Sequence, residues 1–442
     1  MNDALARTIY RAGCRMRGTN VLAYLKELEE SQWWSEEKKE AAQLAKLRTL
    51  LAHARERAPF YREHFERHGF DCAVDSLAGF KALPSLGKRE IALHRDAIQN
   101  EGRGGKLVFS KTAGTTSIPL LFYRTVDWDA QHRAAIARGC GWYGIDPWAR
   151  SGHLWSISPR RSLRLKNRFL DFLQNRFRQK SFDLSPKTFE DFYRKLAPAE
   201  YLAGYAGMLY EFARFVNERH PGGEFHGLKL VKGTSEKILP HYQEAVQRAF
   251  GQPIRSEYGA AEAGIIAFEC PGGSLHVNEE HVIVEVEDGE IVVTNLLSHS
   301  FPFIRYRLGD HISLREGFAC PCGRKGLVIG DVAGRVGLSV HGAGGRVFPS
   351  VVLDLIIKSL VSLGGLVAQC QAVQRAEGRL EYYCVPARIL SQKDIGRIER
   401  FFDEMTERYF EGAIECAVLF VESIPRTGNK FLEFVSELPS KN

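Results

Sequence analysis

Long apolar runs are missing from this 442-residue chain. No stretch approaches the ~20 consecutive apolar residues that cross a bilayer, so no transmembrane segment is expected. Met1-Asn2-Asp3-Ala4-Leu5-Ala6-Arg7 has no apolar core behind it, so no secretory signal is expected either. Cysteine is too sparse for a disulfide scaffold: nine residues, an odd number, spread through the whole length. That usage points to a reducing, cytoplasmic setting. Strong charge of one sign is absent as well. A net charge of +7 along the chain suits anionic substrates and gives no nucleic-acid signature. Internal repeats and low-complexity segments are lacking. What remains, 44% apolar and 26% charged residues, is an ordinary globular composition with length for two to three domains.

Taken in order, residues 1–100 read as mostly helical. Glu36–Arg57 has helical spacing of apolar residues, broken by Ala58-Pro59-Phe60-Tyr61, and Tyr61–Phe65 restarts a short helix. Leu83-Pro84-Ser85-Leu86-Gly87-Lys88-Arg89-Glu90 is a turn into a further helix. A helix is expected over Asp127–Tyr143. Residues 160–180 hold eight Lys/Arg against Asp171, interleaved with leucines and phenylalanines. They read as a basic amphipathic helix, suited to an anionic membrane surface or an acidic partner; a solvated helix with an ordinary core side is the simpler reading.

Leu202–Leu209 reads as a strand end turning into a helix. Leu228–Val231 and Ile254–Tyr258 read as strands separated by a helix over His241–Phe250. That is the rhythm of an α/β sheet, whose ligands sit at the carboxyl ends of strands. Residues 281–315 alternate as an antiparallel meander. A break near Asp331–Arg335 divides the chain into residues 1–333 and a smaller α+β unit, 334–442. In that unit Val351–Leu363 and Asp394–Tyr409 are expected as helices, and Leu380–Val385 and Ala413–Val421 as strands. Gly342-Ala343-Gly344-Gly345 lacks dinucleotide-binding spacing and reads as a mobile turn.

The stretch Ser110-Lys111-Thr112-Ala113-Gly114-Thr115-Thr116-Ser117-Ile118-Pro119 lies between two strand-like segments. Such a turn can aim N–H groups and hydroxyls at an anion, and reads equally as a polar hairpin turn. No Gly-Lys-Ser/Thr ends it, so it is not the common P-loop. Four further segments follow: Ser256–Glu262, Arg305-Tyr306-Arg307-Leu308-Gly309-Asp310, Gly334-Arg335, and Pro425-Arg426-Thr427-Gly428-Asn429-Lys430. In this order they resemble the motifs of the adenylate-forming (acyl-CoA ligase) superfamily. The Pro-Phe-Tyr-Arg break, the later Leu-Pro…Lys-Arg-Glu segment and Thr234-Ser235-Glu236 resemble its phenylacetate-CoA ligase-like, capsular-polysaccharide-associated branch.

The resemblance implies a large α/β amino-terminal domain with mixed sheets and a small mobile α+β carboxyl-terminal domain. It implies an enzyme that activates a carboxylic acid as acyl-AMP with ATP and Mg²⁺, then transfers the acyl group to coenzyme A. Two anions must meet in that reaction, so cations and oriented donors are needed. By resemblance Thr112, Gly114, Thr115 and Thr116 hold phosphates, and Ser235 and Glu236 belong to the nucleotide site. Tyr258 and Gly259 flank the adenine, Asp310 takes the ribose hydroxyls with Arg335 nearby, and Glu262 binds Mg²⁺. Lys430 bridges carboxylate and α-phosphate. Leu202–Leu209 is implied to help line the acyl pocket, although packing alone explains its small residues. Ser117 replaces a usual glycine. Gly337 and Leu338 stand where the pattern carries acidic hinge residues, which bears on the second half-reaction. A carrier protein, sugar or amine is the alternative acceptor, an acidic carrier being matched to residues 160–180. A non-catalytic nucleotide- or acyl-binding protein is the alternative of another class.

Cys270, His276, Cys320 and Cys322 form a separate constellation, Cys-x5-His and Cys-x-Cys, beside Gly/Pro turns. Three thiolates and an imidazole suit a closed structural Zn²⁺ site, with His281 as alternate ligand. Some relatives of the resembled group carry a comparable zinc. Cys14, Cys140 and Cys384 read as small core residues.

Overall fold

The computed structural model describes residues 2–102, 104–112, 120–155, 162–180, 185–223, 225–235, 238, 240–315, 317–335, 339–349, 351–424 and 434–438. The first hundred residues are helical: α1 (Asp3–Met16), α2 (Val21–Ser31), α3 (Glu36–Arg57), α4 (Pro59–Arg67), α5 (Leu77–Phe80), α6 (Lys88–Leu93) and α7 (Arg95–Ile98). Helix α3 shows why. The Ser35 hydroxyl caps the Lys38 N–H, Glu36 and Glu37 sit in the first turn, and Arg55 and Arg57 in the last, each matched to the helix dipole. Pro59, lacking an N–H, then opens α4 two residues before the Tyr61 start expected from the sequence.

Strands β1 (Leu107–Lys111) and β2 (Leu121–Thr125) form a separate antiparallel hairpin around the candidate phosphate loop. The main sheet follows. Its parallel part comprises β3 (Ser151–Trp155), β4 (Arg176–Lys180), β5 (Tyr201–Tyr205), β6 (Leu230–Thr234) and β7 (Ile254–Ala260). Helices α8 (Val126–Gly141), α9 (Ser162–Leu173), α10 (Pro186–Leu196), α11 (Ala206–Arg219) and α12 (Pro240–Phe250) alternate with them. The antiparallel part comprises β8 (Gly264–Glu269), β9 (Leu275–Val277), β10 (Val282–Glu287), β11 (Glu290–Asn295), β12 (Tyr306–Leu314) and β13 (Val328–Arg335). The meander expected over 281–315 is β10–β11–β12; β13 continues it and pairs on its other side with β9. All eleven strands are one sheet.

Residues 160–180 depart from the single helix expected. Helix α9 stops at Leu173, Asn175 takes a left-handed φ of 48°, and β4 joins the parallel edge beside β3. Asp171 receives both Arg176 and Arg178 at 2.8 Å, so two of the run's cations are already paired.

After β13 come a small hairpin, β14 (Ser339–His341) and β15 (Val347–Pro349), and helix α13 (Val351–Ser359). The turn Gly342–Gly345 holds a short 3₁₀ segment. A four-stranded sheet contains β16 (Val367–Ala376), β17 (Arg379–Pro386), β18 (Glu415–Phe420) and β19 (Phe434–Ser436), covered by α14 (Gln392–Phe410). Helix α14 starts with a reciprocal Ser391–Asp394 capping box. This second sheet shares one apolar cluster with α10, α11 and α12. At that contact Glu211 accepts Arg408 at 2.8 Å and the Tyr409 hydroxyl at 3.3 Å. Among the described residues no helix is long and apolar enough to cross a membrane.

Candidate functional site

The parallel strands end on one edge, and the turns there carry the residues the motifs single out. β7 brings Tyr258 and Gly259 to that edge and the following turn carries Glu262. Gly259 is required by packing: a Cβ there would stand 2.4 Å from the Gly264 carbonyl oxygen across the β7–β8 hairpin. Glu262 is buried, and its Oε1 accepts the Tyr306 hydroxyl at 3.3 Å. Asn295 fixes the same turn by donating to the Glu262 carbonyl at 2.8 Å.

The segment 305–310 divides its labour along β12. Arg305 is buried and joins Glu285, Glu287 and the Lys81 and Leu83 carbonyls. It fastens the amino-terminal segment, where Leu86 bridges to Tyr306. Arg307 and the Gly309 N–H both bind Glu290. Asp310 accepts the Tyr258 hydroxyl at 2.8 Å. Its register partner on β13 is Arg335, whose backbone alone is described. Tyr258 of β7 and Asp310 of β12 thus meet through their side chains although three strands separate them in the sheet order, with Glu262 in the turn after β7 and Arg335 paired with Asp310 from β13. Tyr306 and Asn295 are positioning residues that motif reading missed. A tyrosine between the two arginines of the Arg305-Tyr306-Arg307 segment was the available signal.

Beneath this edge Lys232 of β6 donates to Glu257 of β7. Burial alone would lower the Lys232 pKa, and Glu257 holds it above the usual lysine range. Ser235, just after β6, is exposed with a left-handed φ of 67°. Thr112 is buried at the hairpin base, where its hydroxyl accepts the Leu120 N–H at 2.9 Å. Gly114, Thr115, Thr116, Ser117, Glu236, Gly337, Leu338 and Lys430 lie outside the described residues.

The cysteine cluster forms where the β8–β9 hairpin meets the β12–β13 connection. One donor atom each from Cys270, His276, Cys320 and Cys322 lies within 4.8 Å of all the others. Cys270 and Cys320 sulfurs are 3.7 Å apart, and Cys322 Sγ is 3.3 Å from His276 Nε2. A tetrahedral zinc with bonds of about 2.3 Å spaces its sulfurs about 3.8 Å apart, so the donor set fits. Burial, with Arg324, Lys39 and Arg138 nearby, lowers the His276 pKa to about 4, which leaves a neutral imidazole for metal. His281 is elsewhere, buried with Nδ1 2.9 Å from Asn278.

This fold, a large sheet of parallel then antiparallel strands followed by a small α+β unit, is shared with solved structures of 2-hydroxyisobutyryl-CoA ligase. No family model matches the chain. Among solved structures, 2-hydroxyisobutyryl-CoA ligase in the postadenylation state with 2-HIB-AMP superposes with a TM-score of 0.60 at 17% identity, covering 92% of each chain. The same enzyme with 2-HIB-AMP and CoA in the thioesterification state gives 0.61 at 18%, covering 92% of this chain and 91% of that one. Protein CapK from Staphylococcus aureus is 20% identical over 294 residues, 62% of this chain. The chain thus spans 63% of the length of that curated relative.

Proposed function

We propose that this chain uses ATP to convert a carboxylic acid into an acyl adenylate and passes the acyl group to coenzyme A. The observation that carries the reading is the Tyr258–Asp310 hydrogen bond beside the buried Glu262, at the carboxyl edge of the parallel strands. Asp310 takes the ribose hydroxyls, with Arg335 opposite it on β13. Tyr258 and Gly259 flank the adenine. Thr112, Gly114, Thr115 and Thr116 take the phosphates, with Ser235 and Glu236 at the same nucleotide. Glu262, kept in place by Tyr306, is the ligand for Mg²⁺, which when bound supplies charge neutralisation at the phosphates.

In the first step a carboxylate oxygen attacks the α-phosphorus. The bond from that phosphorus to the bridging oxygen breaks, and pyrophosphate carries the electron pair away. Lys430 bridges the two anions as they meet. In the second step a thiolate attacks the acyl carbon and AMP leaves. Arg335, at the end of β13 and paired with β12, belongs to the unit holding the nucleotide, and the unit that follows it carries Lys430. Zinc at Cys270, His276, Cys320 and Cys322 is structural, since four protein ligands leave no open position for water.

Acid-dependent ATP–pyrophosphate exchange across a panel of carboxylic acids tests the reading. Exchange with at least one acid, and an acyl-CoA detected by mass spectrometry once coenzyme A is added, are the expected results. Exchange followed by acyl transfer only to an acidic carrier protein, a sugar or an amine would replace the acceptor. ATP binding without exchange for any acid would make the chain a binding protein.

A further inference from the structure

Helices α1 and α9 lie against each other at the surface. Two large side chains of α9, Phe169 and Phe172, are 61% and 60% exposed. They sit three residues apart and so share one side of the helix. On α1, Met16 is 88% and Leu5 49% exposed. Leu5, Ala12 and Met16 follow one another at i, i+7 and i+11, along one side of α1.

Arginine outnumbers acid on the exposed sides of these two helices, where Asp3 is exposed and Asp146 lies near it and Arg7. Arg7, Arg11, Arg15, Arg17 and Arg168 are all exposed. Arg7 leans on Trp148, and no salt bridge among the described residues engages Arg11, Arg15, Arg17 or Arg168. The acids of the two helices are turned to other work. Asp3 accepts the Trp148 indole N–H at 2.8 Å, and Asp171 is taken by Arg176 and Arg178.

We propose that the α1–α9 face docks on an anionic lipid surface. Exposed rings flanked by arginines are the composition of helices that lie in the plane of a membrane interface, and no described helix is fit to cross one. Charge complementarity selects the occupant. A second copy packed about a twofold axis would set these arginines against themselves. A folded acidic protein would have to shape a pocket for each protruding ring, whereas a fluid headgroup layer receives them without one. None of these surface residues is among those assigned to the nucleotide, and the proposal does not depend on that assignment.

Flotation of the full chain with vesicles of phosphatidylcholine alone, and of phosphatidylcholine with phosphatidylglycerol, tests this. Binding to the anionic vesicles only, weakened by raising the salt, is expected. Arg11→Glu with Arg15→Glu should reduce binding about tenfold or more, and Phe169→Ser with Phe172→Ser should reduce it as well. Unchanged melting temperature and nucleotide affinity in both double variants would exclude misfolding as the cause. No flotation, equal flotation with neutral vesicles, or flotation untouched by both double variants overturns the proposal. So does a dimer in solution that the phenylalanine variants abolish, or arginine-dependent binding of an acidic carrier protein without vesicle binding.

Discussion

Removing the Tyr258–Asp310 hydrogen bond from each side in turn weighs the nucleotide assignment most directly. Tyr258→Phe keeps the ring and deletes the hydroxyl that donates at 2.8 Å; Asp310→Asn keeps the shape and deletes the charge. A hydrogen bond to a charged group contributes about 1.5–3 kcal/mol. If Asp310 grips the ribose, Asp310→Asn should weaken ATP binding roughly 10- to 150-fold, by the conversion of about 1.36 kcal/mol per decade. Tyr258→Phe acts through Asp310, by leaving its carboxylate less well oriented. The double variant should therefore lose less than the sum, with a coupling of about 0.5 kcal/mol or more. Calorimetric titration of ATP into the four proteins gives the cycle, with acid binding as the control expected to change little. An ATP dissociation constant unchanged in folded Asp310→Asn would refute the assignment. Additivity within about 0.5 kcal/mol would refute the coupling.

Three other outcomes are expected. Elemental analysis should find one zinc per chain, and Cys320→Ser should lose it and melt earlier because metal binding is coupled to folding; metal-free protein whose melting ignores both chelator and substitution would contradict this. Lys430→Ala should lower acid-dependent pyrophosphate exchange by roughly 10²–10³, and normal exchange in that variant would remove Lys430 from the reaction. Glu280 is buried, which opposes its charge, yet Arg138 at 2.8 Å and the Ser31 hydroxyl at 2.6 Å hold its pKa down to about 2 from 4.5. Its folded pKa is depressed, so its contribution, on the order of 3 kcal/mol, is present above pH 4.5 and fades as pH falls through about 2; acid unfolding followed by circular dichroism should lose this slope in Glu280→Gln.

Local chemistry made much of this molecule legible in advance. Helix α3 was readable to its ends, because a serine cap, acidic first turn and Ala-Pro stop are all written within a few neighbours. The four residues of the Cys/His cluster could be grouped from Cys-x5-His and Cys-x-Cys, since short spacings beside glycine turns restrict where the donors can go. The order of the motifs pointed to the fold before any strand was paired. Other facts required the tertiary structure, because they depend on register between distant strands. Residues 160–180 carry helical periodicity throughout, and only the open edge of β3 draws Arg176–Lys180 into a strand. The sequence motif at 305–310 does not separate the two roles; Glu285 and Glu287 of β10, with the Lys81 and Leu83 carbonyls, hold Arg305 in the core, while the course of β12 brings Asp310 to Tyr258. Tyr306 reaches Glu262 across 44 residues, and no local pattern encodes that contact, because side-chain direction on a strand acquires a meaning only once its neighbours are in place.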